Sequence, residues 1–194
     1  MFRRAVLTVA WLNLGYFGIE FAVALHIGSV SLFADSVDFL EDASVNLLIL
    51  AALSWSARAR ARVGMLLATV LLVPALAALW SIATKLMVAA AVVPAPVPLT
   101  LTGLGALAIN FSCALLLLRH RLHRGSLTRA AFLSARNDVF ANIAIIAAGG
   151  ATVLWPSIWP DLVAGVGIMV MNVDAARAVW RAARSEHRLS EAHR

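Results

Sequence analysis

Four carboxylates, Asp35, Asp38, Glu41 and Asp42, stand inside the stretch SLFADSVDFLEDASVNLLILAALSW, Ser31 to Trp55, which is otherwise apolar enough to cross a bilayer. A carboxylate at the bilayer centre costs roughly 2.5–3.5 kcal/mol even on the gentler insertion scale, so charge in such a place requires a reason. At about 100° per helical residue, Asp38 and Asp42 are separated by about 40° and one turn, and Asp35 lies one turn earlier on nearly the same face. Glu41 points about 100° away from Asp42. An acidic stripe within a span marks an ion or proton path, and the natural ligand of such a stripe is a cation.

Apolar runs of span length fill most of the 194 residues, and 62% of the chain is hydrophobic, which excludes a soluble domain of ordinary makeup. The expected spans are Ala5 to His26, Ser31 to Trp55, Val63 to Val88, Leu99 to Leu118, Ala130 to Leu154 and Leu162 to Trp180. The first follows Arg3 and Arg4 without a small-residue cleavage pattern, which reads as a retained span and not a signal peptide. Gly28, the run Pro94 to Pro98 and the run Trp155 to Pro160 break the apolar segments where outer turns are expected. Trp155 and Trp159 suit an interfacial belt. Pro74, inside the third run, either kinks a helix or is accommodated by its neighbours.

The formal charge of +6 does not point to nucleic acid, because the basic residues fall in alternate loops. Arg3 and Arg4 precede the first span, and Arg58, Arg60 and Arg62 separate the second from the third. Arg119, Arg121, Arg124 and Arg129 separate the fourth from the fifth, and Arg177, Arg181, Arg184, Arg188 and Arg194 end the chain. The turns between carry no Lys or Arg, so the positive-inside rule places both termini in the cytoplasm. The fold class is therefore an all-α membrane protein, a bundle of six transmembrane helices over residues 1–180, with 181–194 as a short cytoplasmic tail that either extends the last helix or ends it. The lone cysteine, Cys113, has no intrachain disulfide partner and reads as a small core residue.

Polar residues of the other spans are expected to meet the stripe, because a cation needs ligands from several helices. Asn13, Tyr16 and Glu20 share a face of the first span, and the fifth offers Ser134, Asn137, Asp138 and Asn142. Asp38, Asp42 and Asp138 would form the carboxylate part of a metal site. Three anions in a medium of low dielectric repel one another, so an empty site is expected to hold protons and a divalent cation to displace them. That displacement is the physical basis of metal/proton exchange. Asn13, Asn46, Asn110 and Asn142 fit interhelical packing as well as binding. Glu20 and Asp35 either line an access path, snorkel or pair with Lys85.

At these residues the chain resembles a known family. GSVSLFADSVDFLEDASVNLL, Gly28 to Leu48, resembles the second helix of cation diffusion facilitator transporters, and NDVFANIAIIAAG, Asn137 to Gly149, resembles their fifth. The resemblance implies that Asp38 and Asp42 are the metal ligands of the second helix and that Asp138 is the aspartate of the fifth-helix pair. Where the family usually has His or Asp one turn before that aspartate, this chain has Ser134, a weaker and neutral ligand. An oxygen-only site tolerates harder cations such as manganese or cobalt more readily than an imidazole site does, with Asn137 or a water completing the shell. The family also commonly carries a cytoplasmic metal-binding domain after the sixth helix, which is not expected here. A homodimer through membrane helices is expected from the family habit.

The function this implies is efflux of a divalent transition metal of the zinc, cobalt or cadmium type, most simply by metal/proton antiport. No enzyme activity and no cofactor are expected, the metal being the substrate. A bacterial cell (inner) membrane is the expected location. Two other classes stay open: a transport-inactive metal sensor or subunit, and, remotely, a metal-dependent lipid phosphotransferase, for which the required D-G-x-x-A-R pattern does not occur. His120 and His123, in the loop Arg119 to Ser126, read as part of a topology-setting basic loop and not as a metal shuttle. His187 and His193 are discounted in the same way.

Overall fold

A backbone in hydrocarbon has no water to bond, so an apolar chain of this length must satisfy its N–H and C=O groups within helices. The computed structural model describes residues 2–52, 69–70, 72–88, 91–118 and 126–192. Six helices are described: α1 (Phe2–Ile27), α2 (Val30–Ala52), α3 (Val73–Met87), α4 (Pro96–Leu118), α5 (Ser126–Leu154) and α6 (Trp159–Ala192). They run up and down, so that the α1–α2, α3–α4 and α5–α6 turns gather at one end, and the start of α1 and the end of α6 lie toward the other. Three of them, over Arg3–Ile27, Pro96–Leu117 and Asn137–Leu154, are long and apolar enough to cross a membrane by themselves. The α2 helix fails that criterion because of its four carboxylates. It is instead the central helix, in contact with each of the other five.

Local chemistry sets the helix ends. Gly28 takes the left-handed conformation, φ 64°, after α1. The Ser29 N–H then returns to the Ala24 carbonyl at 3.0 Å, the longer bond of a Schellman motif. A residue with a side chain would be strained at that φ. Pro74 lies in the first turn of α3, after a turn at Leu72, so it starts the helix where its missing N–H costs nothing and does not kink it. Pro96 opens α4 in the same way. The sixth helix continues past Trp180 to Ala192, so most of the tail extends it. The expected part of the third span before Thr69, and the loops carrying Arg58, Arg60, Arg62, Arg119, His120, Arg121, His123 and Arg124, lie outside the described residues, as does His193.

Small residues let the helices approach. A Cβ added at Gly103 would stand 2.9 Å from Ile145 Cγ2, and one at Gly165 would stand 2.8 Å from Val30 Cγ1. At Gly149 it would strike the Thr100 side chain, and at Gly105 the Tyr16 hydroxyl. These contacts seat α4 on α5, α6 on α2 and α1 on α4, the close packing that replaces a hydrophobic driving force in lipid. The apolar core gathers Ala24, Ile27, Leu32, Ala34, Ala78, Leu99, Ala141, Ile145 and Ile168. Large apolar side chains such as Trp11, Leu25, Trp80 and Val163 face outward, while Glu20, Asp35, Asp38 and Asp138 face inward. A polar interior inside an apolar exterior is the reverse of a soluble protein and fits a hydrocarbon solvent.

Candidate cation site

The start of α2 is fixed by a carboxylate from another helix. Ser29 is the N-cap residue, its hydroxyl accepting from the Leu32 N–H at 3.1 Å. Asp161, in the first turn of α6 and fully buried, takes the next donors. Its Oδ2 accepts from the Val30 N–H at 2.8 Å, and its Oδ1 accepts from the Ser31 N–H at 3.1 Å. The hydroxyls of Ser29 and Ser31 also donate to Oδ1, at 2.7 and 2.6 Å. Lys85, near the end of α3, donates to Asp161 Oδ2 at 3.1 Å and to the Gly28 carbonyl at 2.7 Å. An anion thus caps the positive end of the α2 dipole and is itself neutralised. Lys85 pairs with neither Glu20 nor Asp35: both carboxylates are fully buried deeper in the bundle, so the pairing and snorkelling alternatives fall away.

Further along α2, Asp38 is 8% exposed and receives the Asn172 Nδ2 of α6 on both oxygens, at 2.8 and 3.0 Å. Asp138 of α5 is buried, and its Oδ2 has no hydrogen-bond partner among the described residues. Its carboxylate lies within electrostatic reach of those of Asp42, Asp38, Asp35 and Glu41 of α2. The sequence-expected trio of Asp38, Asp42 and Asp138 therefore shares one region of the interior. Among the described residues, however, no three His, Cys, Asp or Glu side chains converge closely enough to hold a metal ion.

The asparagines flanking this region behave alike. Asn46 donates to the Asp42 carbonyl at 2.7 Å and Asn142 to the Asp138 carbonyl at 2.6 Å, each one turn after its aspartate. Both leave a buried Oδ1 with no partner among the described residues. Asn137 donates its amide to the Met171 carbonyl of α6 at 3.2 Å. Ser134 lies on α5, but its side chain, like that of His187, is outside the described ones. Asn13 Oδ1 receives the Cys113 thiol at 3.7 Å, a buried contact between α1 and α4 that fits the core reading of the cysteine. Tyr16, on the same face, donates to the Thr102 carbonyl at 2.6 Å. Glu20 and Asp35 face one another across the α1–α2 interface. None of their four oxygens has a donor among the described residues. Glu41 is also buried, so the acidic set of α2 is wider than its stripe.

Two residues that matter here were not singled out from the sequence, Asp161 and Asn172. One signal was available: they are 11 residues apart, which places them on one helix face within about 20°.

These features define an integral membrane protein, a helical bundle with carboxylates buried at its centre. The family model for the cation efflux transmembrane domain matches residues 6–186. The chain therefore belongs to the cation efflux family, and it is a cation transporter of the cation diffusion facilitator kind, not an enzyme. Transporters of this family carry no cofactor; the metal ion is their substrate. Among curated proteins, no relative matches the chain.

Proposed function

We propose that this chain exports a divalent transition-metal ion of the zinc, cobalt or cadmium type from the cytoplasm in exchange for protons, through Asp38 and Asp42 of α2 and Asp138 of α5. The observation that carries the proposal is that the buried Asp38 of α2 and Asp138 of α5, with the half-buried Asp42, lie in one another's field, and that Asp138 Oδ2 has no partner among the described residues. Such a set is tolerable in low dielectric only with protons or a cation bound, and exchanging the two is transport without covalent chemistry. Glu20 and Asp35, a buried pair facing one another, extend this interior toward the α1–α2 turn as an access path. Ser134, one helical turn before Asp138 in the sequence, is the weak neutral ligand of this reading.

Residues 1–180 then form the six-span transport domain of a homodimer in a bacterial cell membrane, with both termini in the cytoplasm by the distribution of arginines. The test is metal flux in sealed vesicles. Asp42→Ala is expected to abolish it. Undiminished flux in that variant overturns the assignment, and binding without flux in the wild type would point to a sensor or subunit instead.

A further inference from the structure

The sixth helix brings a residue to this region that the acidic pattern does not reveal. Asn172 is buried, and its Nδ2 bridges both oxygens of Asp38. One amide nitrogen across both oxygens occupies the place from which a cation would approach that carboxylate. The neighbouring Met171 carbonyl receives Asn137 of α5. Positions 171–172 of α6 thus stand level with 137–138 of α5 and with Asp38 of α2. This juxtaposition is fixed at the far end by Asp161, on the same face of α6, which holds the start of α2. Between the two contacts Gly165 lets the helices close on Val30.

We propose that Asn172 is a further ligand residue of the cation site: its N–H groups hold Asp38 while the site is empty, and its Oδ1 turns to the ion when a divalent cation enters. This rests on the reading of Asp38 as a cation ligand. A carboxamide offers a donor and an acceptor in nearly the same volume, and its terminal torsion is broad and roughly two-fold. A cation on Asp38 repels the N–H dipoles and attracts the carbonyl, so a half-turn exchanges one satisfied state for the other without moving a helix. The Oδ1 adds a neutral oxygen where a fourth carboxylate would deepen the repulsion. With Asp38, Asp42 and Asp138 it makes a set of oxygen donors from three helices, a set that tolerates harder divalent ions such as manganese beside those of the zinc, cobalt and cadmium type.

The proposal is tested on the purified full-length protein in detergent, with cobalt(II) as the probe, reading both affinity and the visible d–d absorption that reports coordination. Asn172→Leu is expected to weaken cobalt binding about 10–100-fold and to alter the spectrum, the size of effect typical of groups that support or join a metal shell. Asn172→Asp keeps the shape and supplies an oxygen ligand while removing the donor. It is expected to bind cobalt at least as tightly as the wild type, with a changed spectrum, and it decides the matter should the leucine variant not fold. Two results overturn the proposal: wild-type affinity and spectrum in both variants, or loss of binding in Asn172→Asp, which would make the residue only a support for Asp38. Asp38→Ala separates the levels. If it loses cobalt while the Asn172 variants do not, only this proposal fails; if it binds like the wild type, the underlying site assignment fails first.

Discussion

Replacing Asp161 by Asn keeps the size of the side chain and removes its charge from a node where five donors meet. With the new Nδ2 at the present Oδ2 position, an amide N–H confronts both the Val30 N–H and the Lys85 ammonium. With Nδ2 at the Oδ1 position it confronts the Ser31 N–H, while the two serine hydroxyls can reverse and accept. Either way Lys85, whose side chain is 8% exposed, loses its counter-charge. Removing one partner of a buried ion pair costs about 3–5 kcal/mol. Lys85 keeps the Gly28 carbonyl at 2.7 Å, so the lower end applies, about 3 kcal/mol. For a chain of this length that corresponds to a fall in Tm of about 6–12 °C. The assay is tryptophan fluorescence on heating in detergent, with the fraction remaining monodisperse as a second readout. Because much of the penalty is an orphaned ammonium, adding Lys85→Met is expected to restore about half of the loss. A Tm within about 2 °C of wild type for Asp161→Asn, or a double variant as unstable as the sum of the two singles, would refute the role given to this node.

Three other outcomes are expected. Gly165→Val, whose first added carbon would meet Val30 Cγ1 at 2.8 Å, should cost about 1–3 kcal/mol by overpacking and should weaken cobalt binding by prising Asn172 from Asp38; unchanged Tm and affinity would show that the α2–α6 contact is not tight. Cys113, 5% exposed against Asn13, should resist maleimide in the folded protein and label fully after unfolding, and rapid labelling of the folded protein would contradict its place in the core. Ser134→His should raise zinc flux relative to manganese by supplying an imidazole; an unchanged ratio would remove that position from the site.

The acidic stripe of α2 and its counterpart on α5 were legible in the sequence because a carboxylate in an apolar run has few bland explanations, and helical spacing says which of them share a face. Asp138 could be matched to Asp38 and Asp42 because a cation needs ligands from several helices and few other spans offer a buried acid, and the family resemblance points to the same three residues. Asp161 was not legible. It follows the run WPSIWP at the edge of a span, where an acid looks like any solvated turn residue, and only the packing of α6 on α2 reveals it as the cap of a distant helix. Asn172 was missed for a related reason: a single intramembrane amide is commonly packing glue, and its contact with Asp38 depends on the register of two helices far apart in sequence. Pairing of Lys85 with Glu20 or Asp35 is one of the alternatives the sequence leaves open, and it falls because the end of α3 stands beside the α1–α2 turn and places its ammonium on Asp161. Pro74 lay within an apolar run whose division into turn and helix hydropathy alone does not mark.

Transport through the carboxylates of α2 and α5 is tested most directly by metal-driven proton movement in proteoliposomes, run across zinc, cobalt, cadmium and manganese with the wild type, Asp38→Ala and Asp138→Ala. Proton movement that follows each transported metal in the wild type and disappears in both variants is expected. Metal flux without proton movement would contradict the exchange mechanism, and coupled flux that survives in both variants would contradict the site itself.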